Sequence, residues 1–230
     1  MAVPVVETSS VVTATSNVDT IDVNVPSGVQ IDDIVLIVIA IDGDAANPEA
    51  NSDGFATLTS TSEGAVELYF LWKRLSAVDS GTYTVNWTGN QQGVFYTVRI
   101  SGCITTGDPW DVISSAVTNS STTNNIVNRL TSTVVDTLAF YAVAVDRDRV
   151  ESGDTITGTG WTEVGSSVSS GGANGAGLIM GENDMPSIAQ VDAGTFGLWQ
   201  AEQNTSRGFN LKAPPVAARR TTSRPRNLRY

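Results

Sequence analysis

Apolar and polar residues alternate with a period of two along nearly the whole chain. In "GTYTVNW" (Gly81 to Trp87), Tyr83, Val85 and Trp87 share one face, and Thr82, Thr84 and Asn86 share the other. "AVELYFLWKRL" (Ala65 to Leu75) groups Val66, Leu68, Phe70 and Trp72. "VFYTVRI" (Val94 to Ile100) groups Val94, Tyr96, Val98 and Ile100. Side chains alternate across a strand, so this pattern, rich in β-branched and aromatic residues, predicts half-buried strands. "IVLIVIAI" (Ile34 to Ile41) is apolar on both faces and predicts a central strand covered from both sides. Turn clusters separate these runs: "PSG" at 26–28, "DGDAANPEANSDG" at 42–54, "TGNQQG" at 88–93 and "SSGGANGAG" at 169–177. Only "DPWDVISSAV" (Asp108 to Val117) offers a helical turn. The expected fold class is all-β, a jelly-roll-like two-sheet β-sandwich.

The pattern also repeats. "DDIVLIVIAIDGD" (Asp32 to Asp44) is matched by "VDTLAFYAVAVDRD" (Val135 to Asp148). Each is an apolar strand opened by an aspartate and closed by an acidic loop. "GF" (Gly54, Phe55) is matched by "GW" (Gly160, Trp161), and "SGTYTVNW" (Ser80 to Trp87) by "AGTFGLWQ" (Ala193 to Gln200). The matches keep their order, so two quasi-repeated halves folded onto each other are expected to build one body.

Composition narrows the chemistry. The chain has 230 residues and a formal net charge of -11. Charge is unevenly placed. From Arg207 onward there are seven basic residues and no acidic one, so residues 1–206 carry a net of -18. Such a body repels nucleic acid and anionic membranes, and neither is an expected partner. Histidine is absent, which removes the commonest general base and zinc ligand and every Ser-His or Cys-His pair. One cysteine, Cys103, excludes an intrachain disulfide; in "RISGCI" it reads as a buried small thiol. No secretory leader pattern opens the sequence, which reads as synthesis in the cytoplasm.

Candidate sites for small ligands are weak. Asp42, Asp44, Glu49 and Asp53 fall in one loop, but their spacing is not that of an EF-hand. Asp146, Asp148, Glu151 and Asp154 repeat the theme with Arg147 and Arg149 interleaved. "GGANGAG" lacks the Gly-Lys-Ser/Thr ending of a phosphate loop. Trp72, Trp87, Trp110, Trp161 and Trp199 lie in or beside strands, where packing is the default reading and a sugar-stacking loop the functional one. No catalytic residue, metal or cofactor is expected, and the chain is not expected to be an enzyme.

"VPSGVQIDDIVLIVIAIDGD", "LYFLWKRLSAVDSGTYTVNWTGNQQGVFYTVRISGC", "DPWDV" and "GWTEVGSS" together resemble a jelly-roll domain found repeatedly in tailed-bacteriophage virion proteins. The resemblance covers roughly residues 20–213 and rests on scaffold motifs. It departs at Phe55, where the pattern prefers Trp, and in the basic tail. It implies a noncatalytic protein: a capsid decoration (cement) protein on the virion exterior, a homotrimer bound to the major capsid protein. The alternative is a tail-associated fibre or adhesin module that binds host-surface glycan.

The sequence divides into an N-terminal strand or extension (1–19), the sandwich (20–213) and a basic extended C-terminal arm (214–230). "PPVAARRTTSRPRNLRY" opens on two prolines that stop the last strand. Its sizeable apolar residues are too few to offset the entropy of ordering, so alone it is expected to lack fixed structure. Three uses are open: nucleic-acid binding, which the acidic body opposes, an inert solvated end, or an arm that orders on a protein surface. For the third, Arg219, Arg220, Arg224, Arg226 and Arg229 would meet carboxylates, with Leu228 and Tyr230 as anchors.

Overall fold

The computed structural model describes residues 3–43, 47–126, 128–146, 155–169, 175–190 and 195–215. The first half of the chain forms β1 (Val5–Asn24), β2 (Ile34–Asp42), β3 (Ala56–Glu63), β4 (Val66–Arg74) and β5 (Thr82–Ser101). The second half forms β6 (Trp110–Ile113), β7 (Val117–Ile126), β8 (Thr137–Asp146), β9 (Thr155–Thr157), β10 (Thr162–Val168), β11 (Ala176–Met185) and β12 (Thr195–Lys212). A single 3₁₀ turn at Asn51–Asp53 is the one helical element among the described residues. The fold is an all-β sandwich of two antiparallel sheets.

The strand orders show the repeat. The first sheet runs β1-β5-β2-β4-β3. In the second, β10, β11, β8 and β12 follow one another, and β6 and β7 both pair with β12. β6 and β7 together stand where β1 stands, and β12, β8, β11 and β10 stand where β5, β2, β4 and β3 stand. Details coincide. Asp32 and Asp136, each just ahead of its central strand, both adopt positive φ (71° and 57°). Gly54 and Gly160 do so at 78° and 81°. The register slips at the same place in both edge hairpins, between Thr57 and Thr59 and between Glu163 and Gly165. Lys73 Nζ donates to the Asp53 carbonyl at 2.9 Å, and Asn183 Nδ2 donates to the Thr159 carbonyl at 2.9 Å. Each of these staples holds the glycine turn that precedes Phe55 or Trp161.

The alternating faces pack as the sequence reading requires. Leu36, Val38, Phe70, Tyr96 and Val98 of the first sheet meet Phe140, Ala142, Leu178 and Phe209 of the second in one core. Phe209 stacks on Phe140 (ring centroids 5.5 Å, 16°) and meets Phe70 of the other sheet edge-on at 5.3 Å. Polar ties cross the same interface: Tyr96 Oη donates to the Ser166 carbonyl at 2.9 Å, and Arg207 Nη1 to the Ser60 carbonyl at 2.8 Å.

The central strands of both sheets are also buried on their outer faces, because β1 and β5 fold back over the first sheet and the start of β12 lies over the second. Trp87 and Phe95 are eight residues apart in β5, and a straight strand would separate them by about 26 Å. Their rings lie 5.0 Å apart. Gly89 (φ 101°) and Asn90 (φ 51°) allow this bend. The returning ribbon puts Tyr83, Val85 and Trp87 over Val35, Ile37 and Ile39. Phe196 and Leu198 of β12 similarly cover Tyr141, Val143 and Val145. This second cover explains why β2 and β8 are apolar on both faces. Each half keeps its strands in one sheet, so the chain crosses between the two sheets once, at residues 102–109.

Three local expectations are corrected. The turn cluster at 88–93 is a bend inside β5: pairing with β1 is present on both sides of it, at Asn86 and at Gln91 and Gly93, with the register shifted across it. "DPWDVISSAV" forms no helical turn: Trp110 to Ile113 is β6, and Trp110 pairs with Leu211, far along the chain. β1 passes through the boundary drawn at residues 19 and 20, so residues 5–19 belong to the first sheet.

A candidate interaction surface at one end of the sandwich

β2 and β8 begin at the same end of the sandwich, where β4, β5, β11 and β12 finish. The crossover between the halves is fixed there. Arg74 Nη2 donates to the carbonyls of Ile104 (2.9 Å) and Gly107 (3.0 Å). The Ile104 amide donates to the Lys212 carbonyl at 2.9 Å, and the Lys212 amide to the Pro109 carbonyl at 2.8 Å. β12 stops at Lys212, ahead of Pro214 and Pro215, so the last described residues, 213–215, lie at this end. Arg219, Arg220, Arg224, Arg226, Leu228, Arg229 and Tyr230, the arm residues singled out from sequence, lie outside the described residues.

Two charge clusters, one buried at Asp33 and one half-buried at Lys73 and Asp79, shape the first half of this end. The Arg99 guanidinium (Nε) meets Asp33 Oδ2 at 2.6 Å, and the same carboxylate accepts the Gln30 amide at 2.7 Å, pinning the 26–33 loop to β5. Lys73 Nζ lies 2.5 Å from Asp79, 4.3 Å from the Tyr83 ring centroid and 5.0 Å from that of Phe55. Tyr83 Oη also donates to Asp79 at 2.9 Å. Burial alone raises the Asp79 carboxyl, but these hydrogen bonds and the lysine charge outweigh it and hold it below the usual carboxylate range.

Exposed apolar residues concentrate at this end. Val5, Ile31, Val78, Val134, Val135 and Ile188 are six of the eight exposed large hydrophobic residues among the described residues. Four of them form two equivalent pairs. Ile31 and Val135 each precede the left-handed aspartate ahead of a central strand. Val78 lies four residues beyond Arg74, and Ile188 four beyond Asp184, the residues that pair with Ile34 and Leu138 at the strand starts. Val78 and Ile188 are each 60% exposed. Sequence reading passed over these positions, since single aliphatics in loops carry no period; aligning the two repeats is the signal that finds them.

The other sequence candidates are placed as follows. Cys103 is buried, and that burial pushes its thiol up to about 12, so it is protonated at neutral pH. Glu49 accepts a hydrogen bond from Asn51 Nδ2, and Asp53 Oδ2 accepts the Thr84 amide. Asp44, Asp148, Glu151 and Asp154 lie outside the described residues. Among the described residues, no three His, Cys, Asp or Glu side chains are grouped to hold a metal ion. Trp87 is buried against Phe95. Trp72 meets Trp110 edge-on at 5.1 Å, and Trp161 meets Tyr141 at 5.2 Å. These four rings are packing elements rather than an open platform.

The chain matches no protein-family model, no curated protein and no solved structure.

Proposed function

We propose that the chain is a structural protein of a tailed-bacteriophage virion, a decoration (cement) protein on the capsid exterior. The sandwich is the rigid body, assembled as a homotrimer. The basic segment 214–230 is the staple to the major capsid protein or to a sister copy. The observation that carries the reading is the charge division: five arginines without a carboxylate, in residues 214–230, follow a body of residues 1–213 with a net charge of -16, and the last strand of that body ends beside exposed aliphatic residues. Strong binding then comes from multivalency, since weak contacts on linked subunits act at a high effective concentration. The sequence resemblance to virion jelly-roll domains supports the same assignment.

The test is fractionation of purified particles into heads and tails, followed by quantitative mass spectrometry. The reading expects the protein with the heads, at a copy number that scales with the major capsid protein. Recovery with tails, together with glycan binding by the purified protein, would replace it with the adhesin reading.

A further inference from the structure

The sandwich has β1 and β3 as the edges of its first sheet, and β10 and the pair β6 and β7 as the edges of its second. Backbone groups of successive residues point to opposite sides of a strand, so a few bonds fix which residues of an edge are free. The Leu75 amide donates to the Asp33 carbonyl at 2.9 Å, and the Gly43 amide to the Ala65 carbonyl at 2.7 Å. Odd-numbered residues of β2 therefore face β4, and even-numbered ones face β5. Carried across the ladder, Gly93, Phe95, Thr97 and Arg99 face β1, where they pair with Ala14, Val12, Ser10 and Thr8. Ser9, Val11 and Thr13 then point their N–H and C=O groups away from the sheet. Two of the other edges are closed from within. The outward carbonyls of Val164 and Ser166 on β10 accept Ser9 Oγ (3.4 Å) and Tyr96 Oη (2.9 Å). The Ser60 carbonyl on β3 accepts Arg207 Nη1 at 2.8 Å. On β1, the Glu182 carboxylate accepts the Val6 amide, and the open run begins beyond it. Among the described residues, no strand or side chain bonds the outward backbone groups of Ser9, Val11 and Thr13. The run Thr8–Ala14 has no register shift, charge or proline, which are the devices that ordinarily protect an edge strand. Val11, at its centre, is 41% exposed. The β7 edge is broken by two register shifts and offers no such run.

We infer that β1 is a self-pairing edge: residues 8–14 of two copies of this chain join antiparallel about a twofold axis at Val11. Three observations select a second copy as the occupant. Reversal about Val11 sets Ser9 against Thr13 of the second copy, and Val11 against its own equivalent, so free backbone groups meet free backbone groups at each position. The same register sets Glu7 against Thr15 and opposes no like charges. Residues 1–213 carry a net charge of -16, so two bodies approach with least repulsion along this uncharged run. Pairing joins the two five-stranded sheets into one continuous sheet and covers each Val11 with the other. The inference goes beyond the virion reading and does not depend on it. In a trimeric assembly the same edge links copies that belong to different trimers.

The experiment is disulfide cross-linking of the full chain in oxidised glutathione, read on a non-reducing gel. Val11→Cys places two equivalent residues opposite each other with Cα atoms about 5.5 Å apart, within the range of a disulfide. Ser9→Cys leaves the two equivalent residues about 13 Å apart along the strands, beyond that range, whereas Ser9→Cys combined with Thr13→Cys restores opposed pairs. Covalent dimer is expected from Val11→Cys and from the double variant. Ser9→Cys alone should give no more than the unsubstituted chain, which keeps the buried Cys103. In sedimentation velocity at rising concentration, the unsubstituted chain should form a species of twice the mass of its smallest assembly. Val11→Lys opposes two like charges and should weaken that step about tenfold or more, with circular dichroism unchanged because the position is largely exposed. Val11→Cys that links no more than the unsubstituted chain overturns the inference. So does Ser9→Cys linking as readily as Val11→Cys, or Val11→Lys associating as the unsubstituted chain does.

Discussion

Replacing Phe209 by alanine tests whether the two halves share one core. Phe209 is fully buried in β12 and touches rings from both sheets: Phe140 stacked at 5.5 Å, Phe70 edge-on at 5.3 Å, and Trp110 at 5.0 Å. Truncating a core phenylalanine to alanine costs about 3–5 kcal/mol through lost transfer energy and the cavity left behind. Aromatic pairs add about 0.5–1.5 kcal/mol each beyond area, which places this site near the top of that range. A domain stability of about 5–15 kcal/mol leaves the variant folded but marginal. The assay is urea unfolding of the full chain, followed by tryptophan fluorescence and far-ultraviolet circular dichroism. With a slope of about 2–3 kcal/mol per molar, the midpoint should fall by roughly 1.5–2 M with the slope unchanged. The two probes should still coincide, because Trp72 and Trp87 report the first half and Trp110 and Trp161 the second. Phe196→Ala, in the outer core of the second half, supplies the comparison. A cost below about 1 kcal/mol at Phe209 with the usual cost at Phe196 would refute a shared core. So would two separate transitions.

The repeated staples should differ in strength. Lys73→Met removes an ion pair, a charge-assisted hydrogen bond and two ring contacts, and should lower stability by about 2–3 kcal/mol. Asn183→Ala removes one neutral hydrogen bond and should cost about 1 kcal/mol, both read from urea midpoints. Glu182→Gln should raise the thermal midpoint at pH 7. Burial, with Asp184 nearby, raises the Glu182 carboxyl above its usual range, so its ionisation opposes folding once pH exceeds that range. The gain should fade as pH falls and glutamate protonates in both states; a gain that grows on acidification would contradict this sign. Cys103 should resist a thiol-specific reagent at pH 8 in the folded protein and react fully in denaturant, because its thiol is held at about 12. Rapid labelling of the folded chain would show that the thiol is not enclosed as described.

The parts of the fold legible in the sequence are those set by local pattern. Alternation in 66–72 and 94–100 identified the inward faces, and the doubly apolar run 34–41 identified a strand covered on both sides. The repeat was legible because both copies need the same backbone at Asp32 and Asp136 and at Gly54 and Gly160. What stayed hidden depends on partners far along the chain. Trp110–Ile113 becomes a strand only because β12 offers its edge about a hundred residues later. The bend at 88–93 looks like a turn locally, and only the resumption of pairing with β1 on either side makes it part of one strand. The identity of the outer covers could not be read, since Trp87 lying over Phe95 requires the strand to return on itself. At the candidate surface, the basic segment was plain from charge alone. The exposed aliphatics at the same end were not, because the correspondence of Val78 with Ile188 shows only when the two halves are superposed strand for strand.

A reconstruction of the intact particle by electron cryo-microscopy tests the central claim most directly. The account predicts two-sheet bodies on the outer surface of the capsid shell, with the basic segment 214–230 in contact with the major capsid protein or a sister copy. Bodies placed on the tail, or on the shell with that segment touching no other chain, would contradict it.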